Sequence, residues 1–195
     1  MKLIFATNNQ NKIAEIKTAL TGGLEIVTLK EAGINIEIPE PFDTLEENAI
    51  EKATVIFSIT KQNCFSEDTG LEVTALNGAP GVISARYAGD EADNKKNIAL
   101  LLKNMKAKEE RSAQFKTVIC LLLNNKEYLF TGICSGKINT EEKGNMGFGY
   151  DAVFIPDGAD KTFAEMDMDE KNKYSHRKKA LVQLIKFLNE YNEQS

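Results

Sequence analysis

Two adjacent asparagines, Asn124-Asn125, separate Phe115–Leu123 from Tyr128–Gly136, two long strand-like stretches. Asparagine tolerates the positive φ of a two-residue hairpin turn, so this segment reads as an antiparallel β-hairpin. The N-terminal part has a different grammar. Leu3–Ala6 is a short apolar strand, and after Asn8-Asn9 comes a helical period with Ile13, Ile16 and Leu20 on one face, closed by Gly22-Gly23. Leu24–Leu29 reads as a second strand, and Pro39 and Pro41 mark a loop. Strand–helix–strand units make parallel pairs, whereas a tight hairpin makes an antiparallel one. The sequence therefore predicts an α/β protein with a mixed, twisted sheet, divided into two lobes within a single domain over 1–195. A groove between lobes is the expected place for a ligand.

The remaining elements fit this plan. Thr44-Leu45-Glu46-Glu47 matches a capping box and opens a helix to about Thr60, apolar over a wide face. Phe65–Ser66 ends a short strand, after which Asp68-Thr69-Gly70 is read as a turn. Ala79-Pro80-Gly81 reads as a loop, Asn94–Met105 as a helix and Ala152–Ile155 as a strand. Ser175 is expected to cap a last amphipathic helix with Leu181, Leu184, Ile185, Leu188 and Tyr191 on one stripe.

Composition limits the partners. The 195 residues carry a net charge of −5, which argues against a general nucleic-acid binder. The longest purely apolar run, Val118–Leu123, is far short of the roughly 20 residues that span a membrane, and the first residues lack a secretory apolar core. Three scattered cysteines, Cys64, Cys120 and Cys134, suit a reducing cytoplasm. A single histidine, His176, leaves oxygen ligands for any metal.

Five constellations could carry chemistry. Thr7-Asn8-Asn9-Gln10-Asn11-Lys12 lies between a strand and a helix, where N–H groups, amides and one lysine can cradle an anion. Ser66-Glu67-Asp68-Thr69-Gly70 supplies adjacent carboxylates, and Asp68 is the better candidate for Mg²⁺, which takes one or two carboxylates together with substrate phosphates. Glu40, between two prolines, is a second metal candidate. The neighbouring Asp43, Glu46, Glu47 and Glu51 have a simpler explanation as acidic residues near a helix start. Gly147-Phe148-Gly149-Tyr150-Asp151 offers close backbone approach and a ring for base stacking. Lys171–Lys179 holds five cations and His176. At a helix start those cations oppose the dipole, a conflict that a bound anion would relieve.

In order along the chain stand Thr7-Asn8-Asn9…Lys12, Glu47-Asn48-Ala49…Lys52-Ala53, Glu67-Asp68-Thr69-Gly70-Leu71, Gly78-Ala79-Pro80-Gly81…Ser84-Ala85-Arg86-Tyr87, Phe148-Gly149-Tyr150-Asp151 and Ser175-His176-Arg177. This series resembles the inosine triphosphate pyrophosphatase family, the dITP/XTP pyrophosphatases that clear deaminated purine nucleotides. The resemblance implies a two-lobed α/β fold, a homodimer, Mg²⁺ dependence and cleavage of a nucleoside triphosphate to monophosphate and pyrophosphate. It implies that Thr7, Asn8, Asn9, Gln10, Asn11 and Lys12 bind the triphosphate and that Asp68 is catalytic and a metal ligand. Thr69 touches substrate on this reading, and Phe148, Gly149, Tyr150, Asp151, Lys171, His176 and Arg177 surround base and phosphates. Two departures stand out. Many members have Thr-Gly-Asn-x-Gly-Lys where this chain has Asn8 and Asn11, asparagine being the next best residue at positive φ, and many have two aspartates where this chain has Glu67-Asp68. A pyrophosphatase for other modified nucleotides and a non-catalytic nucleotide sensor are the competing readings.

Overall fold

The computed structural model describes residues 2–19 and 24–193. Leu20, Gly22 and Gly23, expected at the end of the first helix, lie outside the described residues, as does Met1. The hydrogen-bonded sheet runs in the order β2-β1-β3-β5-β6-β7, with β4 (Pro80–Gly81) pairing β3 (Cys64–Val73). β1 (Lys2–Phe5) lies parallel to both β2 (Glu25–Thr28) and β3, while β4 is antiparallel to β3 and β7 (Phe154–Pro156) to β6 (Lys126–Ile138). The sheet is thus mixed, as the two grammars of the sequence require. β5 (Ser112–Leu123) passes into β6 through Asn124 and Asn125, at φ 50° and 62°. Positive φ at both central residues is the turn whose twist matches that of the strands it joins.

The chain forms two compact units: residues 1–68, 117–132 and 177–195 make one, residues 69–116 and 133–176 the other. The core of the first consists of Leu3, Phe5, Ile13, Ile16, Phe65, Leu121, Leu181, Leu184 and their neighbours. Phe5 and Phe65, register partners on β1 and β3, stack with centroids 4.4 Å apart. α1 (Gln10–Ala19) and α5 (His176–Glu193) contribute the apolar stripes the sequence assigns them. In the second unit, Leu71, Val73, Ile98, Leu101, Phe115, Phe154 and Phe163 form a separate core, to which α3 (Asn94–Asn104) supplies Ile98 and Leu101. Among the described residues no helix is long and apolar enough to cross a membrane.

Four local expectations change. Pro80 and Gly81, expected in a loop, form the short strand β4 paired with β3. Asp68-Thr69-Gly70 is not a turn: β3 continues through it for ten residues, and the chain reverses only after Val73. Glycine at position 70 misled the reading, because in a strand Gly can also mark a close approach rather than a break. The last strand starts two residues later than expected, at Phe154. The basic segment is not one helix start. Lys171 and Lys173 occupy the last turn of a short helix, α4 (Met168–Tyr174), where cations suit the dipole, while Asp167, Asp169 and Glu170 occupy its acidic beginning. Ser175 closes α4, its N–H donating to Lys171 O at 3.0 Å, and α5 begins at the next residue.

Candidate active site

α2 (Leu45–Thr60) begins as its capping box predicts, with the Thr44 hydroxyl accepting from Glu47 N–H, although the Glu47 carboxylate takes the Thr44 hydroxyl proton rather than a backbone N–H. Its buried stripe reads Leu45, Asn48, Ala49, Lys52, Ala53, Ile56. Two polar residues on that stripe organise what lies beside it. Asn48 is fully buried and grips the backbone of Phe42 with both amide atoms, accepting from its N–H and donating to its C=O at 3.0 Å each. This fixes the loop that carries Glu40. Lys52, one turn on, donates to Glu40 Oε1 at 2.5 Å and to Asp68 Oδ1 at 2.7 Å. Ser66, also buried on β3, donates to Ala49 O and ties the strand to the same helix.

Strand alternation sends Glu67 and Asp68 to different partners. Glu67 has no exposed side-chain surface and meets the Arg177 guanidinium as a fork, Nε to Oε2 at 2.7 Å and Nη2 to Oε1 at 2.8 Å. Arg177 Nη1 pairs with Glu15 of α1, also buried. Lys12 approaches Glu67 at 3.5 Å, through both the carboxylate and the backbone carbonyl. Four carboxylates thus face three cations.

The electrostatics follow from burial and pairing. Burial raises Asp68 above the usual carboxylate range and Glu40 adds to this, while Lys52 and Lys12 pull it down. Burial is also the largest influence on Lys52, but Asp68 and Glu40 together outweigh it and hold the ammonium above its ordinary value. Lys12 goes the other way, lowered by burial against the attraction of Glu67. Arg177 is raised by Glu67 and Glu15 despite burial.

The loop before α1 is ordered by its own side chains. Asn9 Oδ1 accepts from the N–H groups of Asn11 and Lys12 at 3.0 and 3.1 Å, capping α1, and Asn9 N–H donates to the Thr7 hydroxyl. Asn8 donates to Ile36 O at 2.9 Å and Gln10 to Asn8 O at 3.3 Å. Neither Asn8 nor Asn11 is among the residues at positive φ, so this loop does not need the glycines seen in many relatives of the resembling family.

In the second unit, Gly147 lies at φ 74°, and a Cβ there would meet Asp151 Oδ2 at 2.0 Å. Only glycine fits, because Asp151 Oδ2 folds back to accept from Phe148 N–H at 2.9 Å and from Lys171 Nζ at 2.6 Å. Lys171 lies 5.5 Å from the centroid of Phe148 and 5.3 Å from that of Phe163, within cation–π range. Tyr150 is buried and donates its hydroxyl to Ser84 O at 2.8 Å, so of the two aromatics in the motif only Phe148 is partly exposed. Gly149, at φ 61°, and Thr69 are also partly exposed. The His176 ring is buried, stacked on Phe115 at 4.7 Å with Phe163 beyond it.

The expected groups therefore sort by contact. Glu40 and Asp68 meet on Lys52, Lys12 and Arg177 meet on Glu67, and Phe148, Asp151 and Lys171 form a third cluster. Lys171 and Arg177 have buried carboxylate partners, so no bound anion is needed to settle their charge. Lys52 and Glu15 escaped the sequence reading. Both had a signal: a charged residue on the apolar stripe of its helix, Lys52 one heptad after Leu45 and Glu15 beside Ile16.

The model of the Ham1 family matches residues 3–187. The chain belongs to the Ham1 family. Ham1 relatives include a dITP/XTP pyrophosphatase of Flavobacterium johnsoniae, 50% identical with 96% of this chain and 98% of that protein covered. Another dITP/XTP pyrophosphatase, from Christiangramia forsetii, is 48% identical over 96% of this chain and 99% of its own length. Among solved structures, the Ham1 protein of Staphylococcus aureus matches with a TM-score of 0.89 at 35% identity, covering 98% of this chain and all of that one. The HAM1 protein of Coxiella burnetii gives 0.89 at 36% identity, with 97% and 99% covered.

Proposed function

We propose that this protein hydrolyses non-standard purine nucleoside triphosphates (ITP, dITP and XTP) to the nucleoside monophosphate and pyrophosphate, with Mg²⁺ as cofactor. In the cytoplasm this removes deaminated purines before polymerases can use them. The relatives named dITP/XTP pyrophosphatase support the reaction. The observation that carries it for this chain is the convergence of Glu40 and Asp68, from a loop and a strand, on one cation. Mg²⁺ needs only one or two carboxylates when substrate phosphates complete its shell, and this donor set fits it.

Glu40 and Asp68 would hold the divalent ion, which would supply charge to polarise the phosphates. Thr7 to Lys12 receive the phosphate chain, with the ammonium of Lys12, now beside Glu67, as its positive charge. Asp68 orients and deprotonates the water that attacks the α-phosphorus, and pyrophosphate leaves. Burial raises Asp68 in the direction that makes a carboxylate a better proton acceptor.

Base choice rests on hydrogen-bond polarity. Hypoxanthine and xanthine carry oxygen at position 6, where adenine carries an amine. With the His176 ring stacked on Phe115 and the Arg177 guanidinium forked on Glu67, the backbone N–H groups that open α5 are the better donors to that oxygen. Phe148 supplies the stacking surface and Lys171, steadied by Asp151, its charged rim. A panel of nucleoside triphosphates assayed for pyrophosphate release, with and without Mg²⁺, tests the proposal. ITP, dITP and XTP should exceed ATP in kcat/KM by at least about 10²-fold, since a buried polar group left unpaired is costly. Equal rates for ITP and ATP, or orthophosphate as the first product, would overturn it.

A further inference from the structure

The cation held by Glu40 and Asp68 is the chain's own. Lys52 Nζ lies 2.5 Å from one carboxylate and 2.7 Å from the other, and its side chain is only 6% exposed. Each member is positioned from a different element: Glu40 from the loop clamped by Asn48, Lys52 from the buried stripe of α2, Asp68 from β3. A divalent ion would draw on the same two carboxylates, and an ammonium beside it would repel it. We propose that Lys52 is a tethered placeholder for the metal: it satisfies Glu40 and Asp68 in the absence of nucleotide, opposes entry of a free divalent ion, and leaves the pair for the phosphates of the incoming substrate. This rests on the metal reading of Glu40 and Asp68 given above.

The side-chain chemistry suits the exchange. A lysine ammonium is a compact charge on a four-carbon stem and can swing, whereas the planar fork of an arginine is fixed by its geometry. Arg177 on Glu67 and Glu15 shows the fixed kind a few residues away along β3. Glu40 is the most exposed of the three partners, its side chain 26% accessible, so the pair opens to solvent on its side. When phosphate takes Lys52 and metal takes the carboxylates, every charge exchanges one partner for another and none is left unpaired. Metal and triphosphate then each remove the other's cost, and by linkage each tightens the other.

A lysine that merely glues helix to strand predicts something different: its loss would weaken the fold and leave metal affinity unchanged or lower. Mn²⁺ binding to the full chain, read by electron paramagnetic resonance, separates the two. Lys52→Gln should bind Mn²⁺ without nucleotide at least tenfold more tightly than the wild type. The wild type should gain at least tenfold in Mn²⁺ affinity when an α,β-methylene analogue of ITP is added. If Lys52→Gln does not fold, Lys52→Arg decides: a planar fork that stays on the pair should cut the analogue-driven gain below that of the wild type, and a gain equal to the wild type's overturns the placeholder. Mn²⁺ affinity of folded Lys52→Gln equal to or below wild type, or wild-type affinity unchanged by the analogue, overturns the placeholder while leaving the metal reading intact. Absence of Mn²⁺ binding to either protein, with or without analogue, overturns the metal reading itself.

Discussion

Arg177 joins three elements through its charge alone: Glu67 on β3 takes two of its nitrogens and Glu15 on α1 takes the third. Removing the guanidinium would leave two buried carboxylates facing each other, and breaking a buried pair in this way typically costs about 3–5 kcal/mol. Arg177→Met should therefore lower the unfolding free energy measured by urea titration by an amount in that range, and an unchanged value would show the network to be dispensable. The double variant Arg177→Met/Glu15→Gln should recover part of the loss, because one orphaned charge is gone. At the cysteines the relevant effect is desolvation. Burial pushes the Cys64 and Cys120 thiols from an ordinary 9.0 up to about 12. At pH 8 only about one thiol in ten thousand would then be thiolate, so neither should react with a disulfide reagent in the native protein. These raised values also set a stability slope. The folded state holds protons that the unfolded chain releases above about pH 9, so this contribution is full below pH 9 and is lost as pH rises toward 12. Thermal melts between pH 8 and 11 should show a falling Tm.

At the scale of elements, what was legible in the sequence was whatever depends on local grammar. The Asn124-Asn125 turn holds both residues at positive φ, as two-residue hairpins require. Asn125→Val should destabilise by about 1–2 kcal/mol, the cost of a left-handed conformation for a residue with a branched Cβ, while Asn125→Gly should be neutral or better. Chemical denaturation of the two variants checks this. The capping box of α2 and the stripe of α5 were equally readable, since both follow from neighbours in sequence. β3 was misread at Asp68-Thr69-Gly70 because its continuation is decided by tertiary pairing with β4, where Leu71 and Glu72 meet Gly81 and Pro80. α4 was missed for a related reason: it is a seven-residue helix whose acidic start and basic end look like charge segregation until its cap is known.

Over the whole molecule, a net charge of −5 first argues against anionic partners, and that inference needs refining. The carboxylates of the proposed centre are not a diffuse acidic surface. Glu15, Glu67 and Asp68 are buried and, with half-buried Glu40, pair with Lys12, Lys52 and Arg177. The sequence pointed to Glu40, Glu67, Asp68, Lys12 and Arg177 but not to their pairing, because an ion pair between residues 15 and 177, or 40 and 52, is created by folding and leaves no local pattern. The convergence of Glu40 and Asp68 on Lys52 is the observation behind the proposed centre. We propose the homodimer that the resemblance implies, so sedimentation at micromolar concentration should give twice the 21.6 kDa of the chain. The most direct test of the centre is the turnover of ITP by Asp68→Asn, which keeps the shape of the side chain and removes its charge. A fall in kcat of about 10²–10⁴-fold with an unchanged circular dichroism spectrum is the expected result, and near-normal turnover by the folded variant would contradict the assignment of Asp68 as the catalytic carboxylate.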